Sequence, residues 1–288
     1  DLNVLHEQLQ EVWDSGWLTN NGYKHQELEI RLSKEIFNGL PISLVSNATL
    51  GLLMVLKTLN IKGEVITTPF TFPATAHAIT WAGLTPIFCD IDTDSMNIDV
   101  DQIESLITEK TSAILAVHVF GRPCQVEKID KIVRKYNLKV IYDSAHAFEL
   151  EVNNKSIANY GDASVFSFHA TKLFHTVEGG AVVFKTEEEK ERFDILKNFG
   201  IKGDEVLSCG INAKLNDLQA SVGLLMLEAK QQERISRKSL SDTYLKELGK
   251  IPGIILPKSD EIITRESLQY FVIRIDRDKF GRTRDDVF

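Results

Sequence analysis

The 288-residue chain contains no apolar run approaching the roughly eighteen residues that a bilayer span requires, so a membrane role finds no support. Cysteine is scarce: the three residues Cys89, Cys124 and Cys209 lie far apart and cannot all pair within one chain. With no signal-peptide pattern at the start, they predict free thiols in a reducing cytoplasm. Basic residues are outnumbered, 33 against 41 acidic, and the formal charge of -8 comes without a basic stripe. That argues against nucleic-acid binding, but not against a phosphorylated ligand in a locally positive pocket. The seven histidines show no metal-ligand spacing. No Gly-x-Gly-x-x-Gly loop follows the first strand, which ranks a Rossmann-type nucleotide site low. Internal repeats and low-complexity linkers are lacking too.

What is present is ordinary globular composition, 43% apolar and 26% charged, in a 32.5 kDa chain long enough to divide its core between a main domain and a smaller one. The spacing predicts a helix over 48–59, a strand over 64–68, a helix over 75–81, a strand over 85–89, a helix over 99–106 and a strand over 113–119. A helix over 126–136 and a strand over 139–142 follow. Strands over 163–168 and 180–184 flank a loop that carries Lys172. A charged helix begins within 185–192, a long helix over 216–237 ends the large domain, and 270–275 reads as a strand of a second domain.

Such alternation predicts an α/β fold with a mostly parallel central sheet flanked by helices, its ligand crevice beyond the carboxyl ends of the strands. The expected division is a large domain over 1–228, whose first residues are free to pack on the small one, and a smaller C-terminal α/β domain over 229–288. The chain opens at Asp1 without methionine, and 277–286 reads like the start of a helix. Natural sequence is therefore expected to be missing at one or both ends, leaving the small domain incomplete.

Several residues are placed for chemistry, each beside a plainer alternative. Lys172 follows an apolar strand and neighbours small hydroxyl residues, where a buried amine would hold an aldehyde; most lysines only solvate a surface. Asp143 ends the strand Val140-Ile141-Tyr142, where its carboxylate either meets a cofactor ring or caps a following helix. His146, three residues on, either contacts that cofactor or is a partly buried structural histidine. Ser46-Asn47-Ala48-Thr49 precedes a helix, whose free amides and Thr49 Oγ suit a phosphate or are simply capped. Ser167 would add a hydroxyl there. Phe72, in Pro69-Phe70-Thr71-Phe72-Pro73, either covers a planar cofactor or belongs to the core.

Taken in order, Ser46-Asn47-Ala48-Thr49, Phe70-Thr71-Phe72, Asp143-Ser144-Ala145-His146, Phe166 to Lys172 and Glu178-Gly179-Gly180 resemble the DegT/DnrJ/EryC1/StrS family of nucleotide-sugar aminotransferases. The resemblance implies a fold-type I pyridoxal-phosphate transferase fold of the aspartate aminotransferase kind. It implies pyridoxal 5'-phosphate as cofactor, with pyridoxamine 5'-phosphate as its intermediate form. By the same resemblance Lys172 binds the cofactor aldehyde and shuttles the proton, Asp143 pairs with the ring nitrogen, and His146 sits near the phenolic oxygen. Phe72 stacks on the ring, while Ala48, Thr49 and Ser167 hold the phosphate. Asn212 matches an asparagine that reaches that phosphate from the neighbouring subunit, which implies a homodimer with shared sites. Lys172 rather than histidine implies transamination rather than dehydration.

The segments 16–22, 118–124 and 169–176 look like the branch acting on dTDP-4-keto-6-deoxy-D-glucose, with L-glutamate as donor and dTDP-4-amino-4,6-dideoxy-D-glucose as product. Lys24, His25, Arg122 and Lys202 are the candidate cations for a nucleotide sugar. Lys214-Leu215 departs from the arginine and methionine frequent in the family, and Asn47 stands where small residues are common. The alternatives are a pyridoxal-phosphate enzyme on another keto sugar, 3-keto or UDP- or GDP-linked, and a catalytically silent binding or regulatory relative.

Overall fold

Short β-branched and aliphatic runs, punctuated by Gly, Pro and Asn, build one central sheet. The structure, a computed structural model, describes residues 2–258 and 260–288, without the side chain of Leu2; Asp1, where the expected large domain begins, lies outside the described residues. Strands β1 (Ile42–Val45), β2 (Glu64–Thr67), β3 (Thr85–Phe88), β4 (Thr111–Val117), β5 (Lys139–Asp143), β6 (Ala163–Ser167) and β7 (Gly180–Phe184) lie in the order β1-β7-β6-β5-β4-β2-β3. Five of them, β6, β5, β4, β2 and β3, run parallel, while β7 is antiparallel to both neighbours. The mostly parallel sheet is borne out, and its exception has a local cause. The connection 168–179 contains no crossover helix, so the chain must return antiparallel. Ser167 consequently faces Gly180, and the Lys172 loop closes over that end of the sheet.

Helices α2 (Tyr23–Glu35), α3 (Ala48–Thr58), α4 (Pro73–Trp81), α5 (Val126–Tyr136), α6 (Glu187–Lys197) and α7 (Asp217–Leu248) cover the sheet, and α1 (Leu2–Ser15) packs on α7. Alternation along β4 sends Ala113 and Leu115 into one core with residues of α3, α4 and α6, and Ile114 and Ala116 into the other with residues of α2, α5 and α7. Burying both faces explains why these strands read as unbroken apolar runs.

Periodicity alone missed α1, α2 and β1. In α2 the apolar stripe is reduced to Leu28 and Leu32 among charged residues, two of which, Lys24 and His25, are themselves buried. The helix expected over 99–106 is one α turn, Val100–Ile103, continued as a 3-10 turn to Leu106. The strand expected over 270–275 shrinks to Arg274–Ile275, which pairs with Ile254–Ile255. The long helix runs on to Leu248, and the 228/229 division falls inside it. No helix among the described residues is long and apolar enough to cross a membrane.

One close approach locks the site end of the sheet. A Cβ at Gly180 would sit 2.8 Å from the Phe166 carbonyl oxygen and 2.9 Å from Ala48 N, so only glycine lets the start of α3 touch β7. Gly180→Ala is expected to cost about 1–3 kcal/mol of stability, read from urea unfolding midpoints, because the backbone on both sides must give way.

Candidate active site

The carboxyl ends of β5 and β6, the first turns of α3 and α4, and the Lys172 loop surround a cavity of about 720 Å³. Ala48, Thr49, Phe72, Asp143, His146, Ser167 and Lys172 all line it, so the structure gathers into one place seven of the eight residues expected from sequence at the cofactor. Asn212 is the eighth. It is exposed and bridges to Asn198, away from this cavity within the single chain.

Asp143 is held at the end of β5 with only 5% of its surface exposed. Thr75 Oγ1 donates to its Oδ2 at 2.7 Å, Thr71 Oγ1 contacts Thr75 Oγ1 at 2.7 Å, and Ala145 N–H donates to its Oδ1 at 3.1 Å. The residues after it form turns and no helix, which removes the helix-cap alternative. Burial raises the Asp143 carboxyl above the usual aspartate range, opposed by these two donors and by the charge of Lys172. Lys172 is half-buried, and burial lowers its amine below the ordinary lysine value, opposed by the Asp143 carboxylate. Each charge therefore compensates part of the other's desolvation.

At the opposite wall Asn47 caps α3. Its side chain accepts from Leu50 N–H at 2.9 Å and its carbonyl from Gly51 N–H at 3.2 Å, leaving the Ala48 and Thr49 amides without intrahelical acceptors. Those amides, the helix dipole and the Ser167 hydroxyl form a seat for an anion. His146 closes another side: its ring meets Tyr270 edge-on at 4.9 Å and stacks over Phe120 at 6.4 Å. Its buried Nδ1 has no hydrogen-bond partner, and burial lowers its pKa to about 4. Phe72 is 74% exposed at the rim, where its ring is free to cover a planar ligand and takes no part in the core.

These groups fit pyridoxal phosphate. Helix amides suit its anionic end, a buried carboxylate its basic ring nitrogen, an amine of lowered pKa its aldehyde, and an unpartnered histidine nitrogen a further polar substituent. The candidate cations lie elsewhere. Lys24 is buried and pairs with Glu11, His25 Nδ1 meets the Leu215 carbonyl, and Lys202 pairs with Glu191 on the surface. Arg122 lines an adjoining cavity that shares Phe120 and Tyr270 with the first, and its Nη2 donates to the Lys258 carbonyl at 2.8 Å. Sequence reasoning missed Thr75, Phe120 and Tyr270. Thr75 carried a detectable signal, a hydroxyl one helical turn from Thr71, but Phe120 and Tyr270 reach the site only by tertiary folding.

A fold-type I aminotransferase architecture and this site define the class, and the comparisons agree. Residues 3–288 match the DegT/DnrJ/EryC1/StrS aminotransferase family, and the chain belongs to it. It is 44% identical over 284 residues to the dTDP-4-amino-4,6-dideoxy-D-glucose transaminase of Shigella dysenteriae, covering 97% of this chain and 76% of that protein. The Escherichia coli protein of the same name is likewise 44% identical over 284 residues, covering 97% and 75%. The crystal structure of DesI in the presence of its TDP-sugar product matches with a TM-score of 0.94 and 36% identity, covering 100% of this chain and 73% of that one.

The lowered His146 pKa has a pH consequence. Between its ordinary value of 6.5 and the folded value of about 4, the unfolded chain binds the proton that the folded chain excludes. The stabilising contribution is present above the higher value and is lost as pH falls through the lower one. The melting temperature of the cofactor-free protein should drop across this window, and His146→Gln should flatten the drop. His118, fully buried with a pKa lowered to about 3, leaves a residual slope.

Proposed function

We propose that the protein is a pyridoxal-phosphate-dependent aminotransferase that moves an amino group from L-glutamate to the keto carbon of a nucleotide-linked sugar. The observation that carries this reading is the facing of a half-buried lysine amine and a buried carboxylate across a cavity that ends at free helix amides. When bound, the cofactor would supply the electron sink that makes the α carbon of an amino donor acidic.

The protein's own residues do the rest. Lys172 Nζ would hold the cofactor by its aldehyde and, when its amine is free, would be the base that carries the α proton of the amino donor. Asp143, fixed by Thr75 and the Ala145 amide, holds the ring nitrogen protonated. Ala48, Thr49 and Ser167 hold the phosphate, with Asn212 of the partner subunit completing the seat in a homodimer. Phe72 and His146 position the ring.

The substrate reading is dTDP-4-keto-6-deoxy-D-glucose, giving dTDP-4-amino-4,6-dideoxy-D-glucose for deoxyaminosugar and surface-polysaccharide synthesis in the cytoplasm. It is supported by two relatives at 44% identity that bear that product in their names.

Supplied with pyridoxal phosphate, the wild type should show an absorbance band near about 420 nm that moves toward about 330 nm on adding L-glutamate, and Lys172→Ala should show neither. Turnover of the 4-keto sugar should fall at least about 100-fold in that variant. Efficient turnover of a 3-keto isomer with none of the 4-keto sugar would sink the substrate reading while leaving the enzyme class intact. No band in the wild type would remove the class.

A further inference from the structure

Lys172 lies in an irregular loop, and the loop's own bonds do little to aim it. Lys172 N–H donates to the His169 carbonyl at 2.9 Å, and Thr171 Oγ1 meets His169 Nδ1 at 2.9 Å. On the far side, Leu173 and Phe174 are buried, with Phe174 stacked on Phe148 at 4.7 Å. Between these anchors the peptide units flanking the lysine are gripped from outside. Gln269 Oε1 accepts from Leu173 N–H at 2.8 Å, and Gln269 Nε2 donates to the Thr171 carbonyl at 3.1 Å. One buried carboxamide, almost a hundred residues away in sequence, therefore spans Lys172.

That carboxamide is itself fixed. Arg237 of α7 donates Nη1 to the Leu268 and Gln269 carbonyls at 3.3 Å each, and its Nε pairs with Glu233 at 2.6 Å. Arg234, one turn earlier, donates to the Glu266 carbonyl at 2.7 Å. Gln269 N–H donates to Ser267 Oγ at 3.4 Å, and Ser267 packs so closely on Gly121 that a Cβ there would meet its Oγ at 2.0 Å. Leu268 adopts φ +55, which turns the chain so that Gln269 points to the loop. The next residue, Tyr270, places its ring centre 5.9 Å from Lys172 Nζ and its edge against His146.

We propose that Gln269 is a positioning residue for Lys172: its carboxamide ties together the peptide units on both sides of the lysine and so fixes where the amine enters the cavity. The proposal rests on Lys172 being the residue that takes the cofactor aldehyde. Gln269 touches no reacting atom; α7 and the segment 266–270 set the amine's direction, and Tyr270 limits its sweep. Lysine side chains are long and flexible, so an untethered loop would leave the amine spread between cavity and solvent.

The test measures aldehyde capture rather than turnover. Wild type, Gln269→Met and Gln269→Glu are incubated with pyridoxal phosphate across a range of pH, trapped with borohydride, and mapped by peptide mass. Methionine keeps the shape but loses both hydrogen bonds; glutamate keeps the acceptor for Leu173 N–H and loses the donor. Gln269→Met should slow labelling of Lys172 about tenfold and raise its pH midpoint, because a freed amine returns toward the ordinary lysine value. Gln269→Glu should fall between. Asn38→Ala, which removes the acceptor for Ser156 N–H at 2.9 Å, should lower the melting temperature and leave the midpoint unmoved.

Unchanged labelling rate and midpoint in Gln269→Met, with wild type labelled at Lys172, would overturn the positioning role alone. Should Gln269→Met fail to fold, a wild-type midpoint in Gln269→Glu overturns it equally. Wild type labelled at another lysine would instead overturn the reading of Lys172 and this proposal with it.

Discussion

The site depends on a carboxylate placed where water cannot serve it. Asp143 ends the central strand β5 with its side chain almost wholly enclosed, and burial alone would drive it toward the neutral form. Thr75, the Ala145 amide and the charge of Lys172 oppose that drive. Burial pushes the acid up and the amine down, and each charge opposes the other's shift, so the two groups form the kind of mutually perturbed pair that marks sites of proton transfer.

The sheet supplies the geometry. Parallel strands bring their carboxyl ends to one edge, and the one antiparallel return, β7, brings the lysine loop back across that edge without a helix in the way. Gly180 then lets the first turn of α3 approach β7 closely enough that amides, hydroxyl and lysine open on the same cavity. The long helix α7, through Arg234 and Arg237, carries the segment that reaches back to the lysine loop. A feature that looks like a remote scaffold is thus continuous with the site.

Much of this was legible in order along the chain. The helix over 126–136 and the strand over 180–184 emerge with the expected bounds, because α5 is amphipathic and β7 is continuously apolar and buried on both faces. Ala48, Thr49, Asp143 and Ser167 were legible because each sits where a strand or helix starts or ends, the position at which side chains and amides face a crevice, and Lys172 because two recognisable strands flank its loop. Helix α2 was not, since its buried Lys24 and His25 are satisfied by partners that periodicity cannot see, Glu11 and the Leu215 carbonyl. The same blindness hid Gln269 and Tyr270, and it misread 270–275 as mainly strand.

The sequence by itself determined the α/β alternation, the family and seven of the residues that meet at the cavity, because those follow from local periodicity and from motifs carried on short segments. Tertiary structure alone decided how Asp143 is stabilised, which aromatic rings close on His146, and what grips the peptide units beside Lys172. Thr75, Phe120 and Gln269 come from segments 26 to 98 residues away from the groups they serve, and only the three-dimensional path of the chain brings such partners within hydrogen-bonding or packing distance.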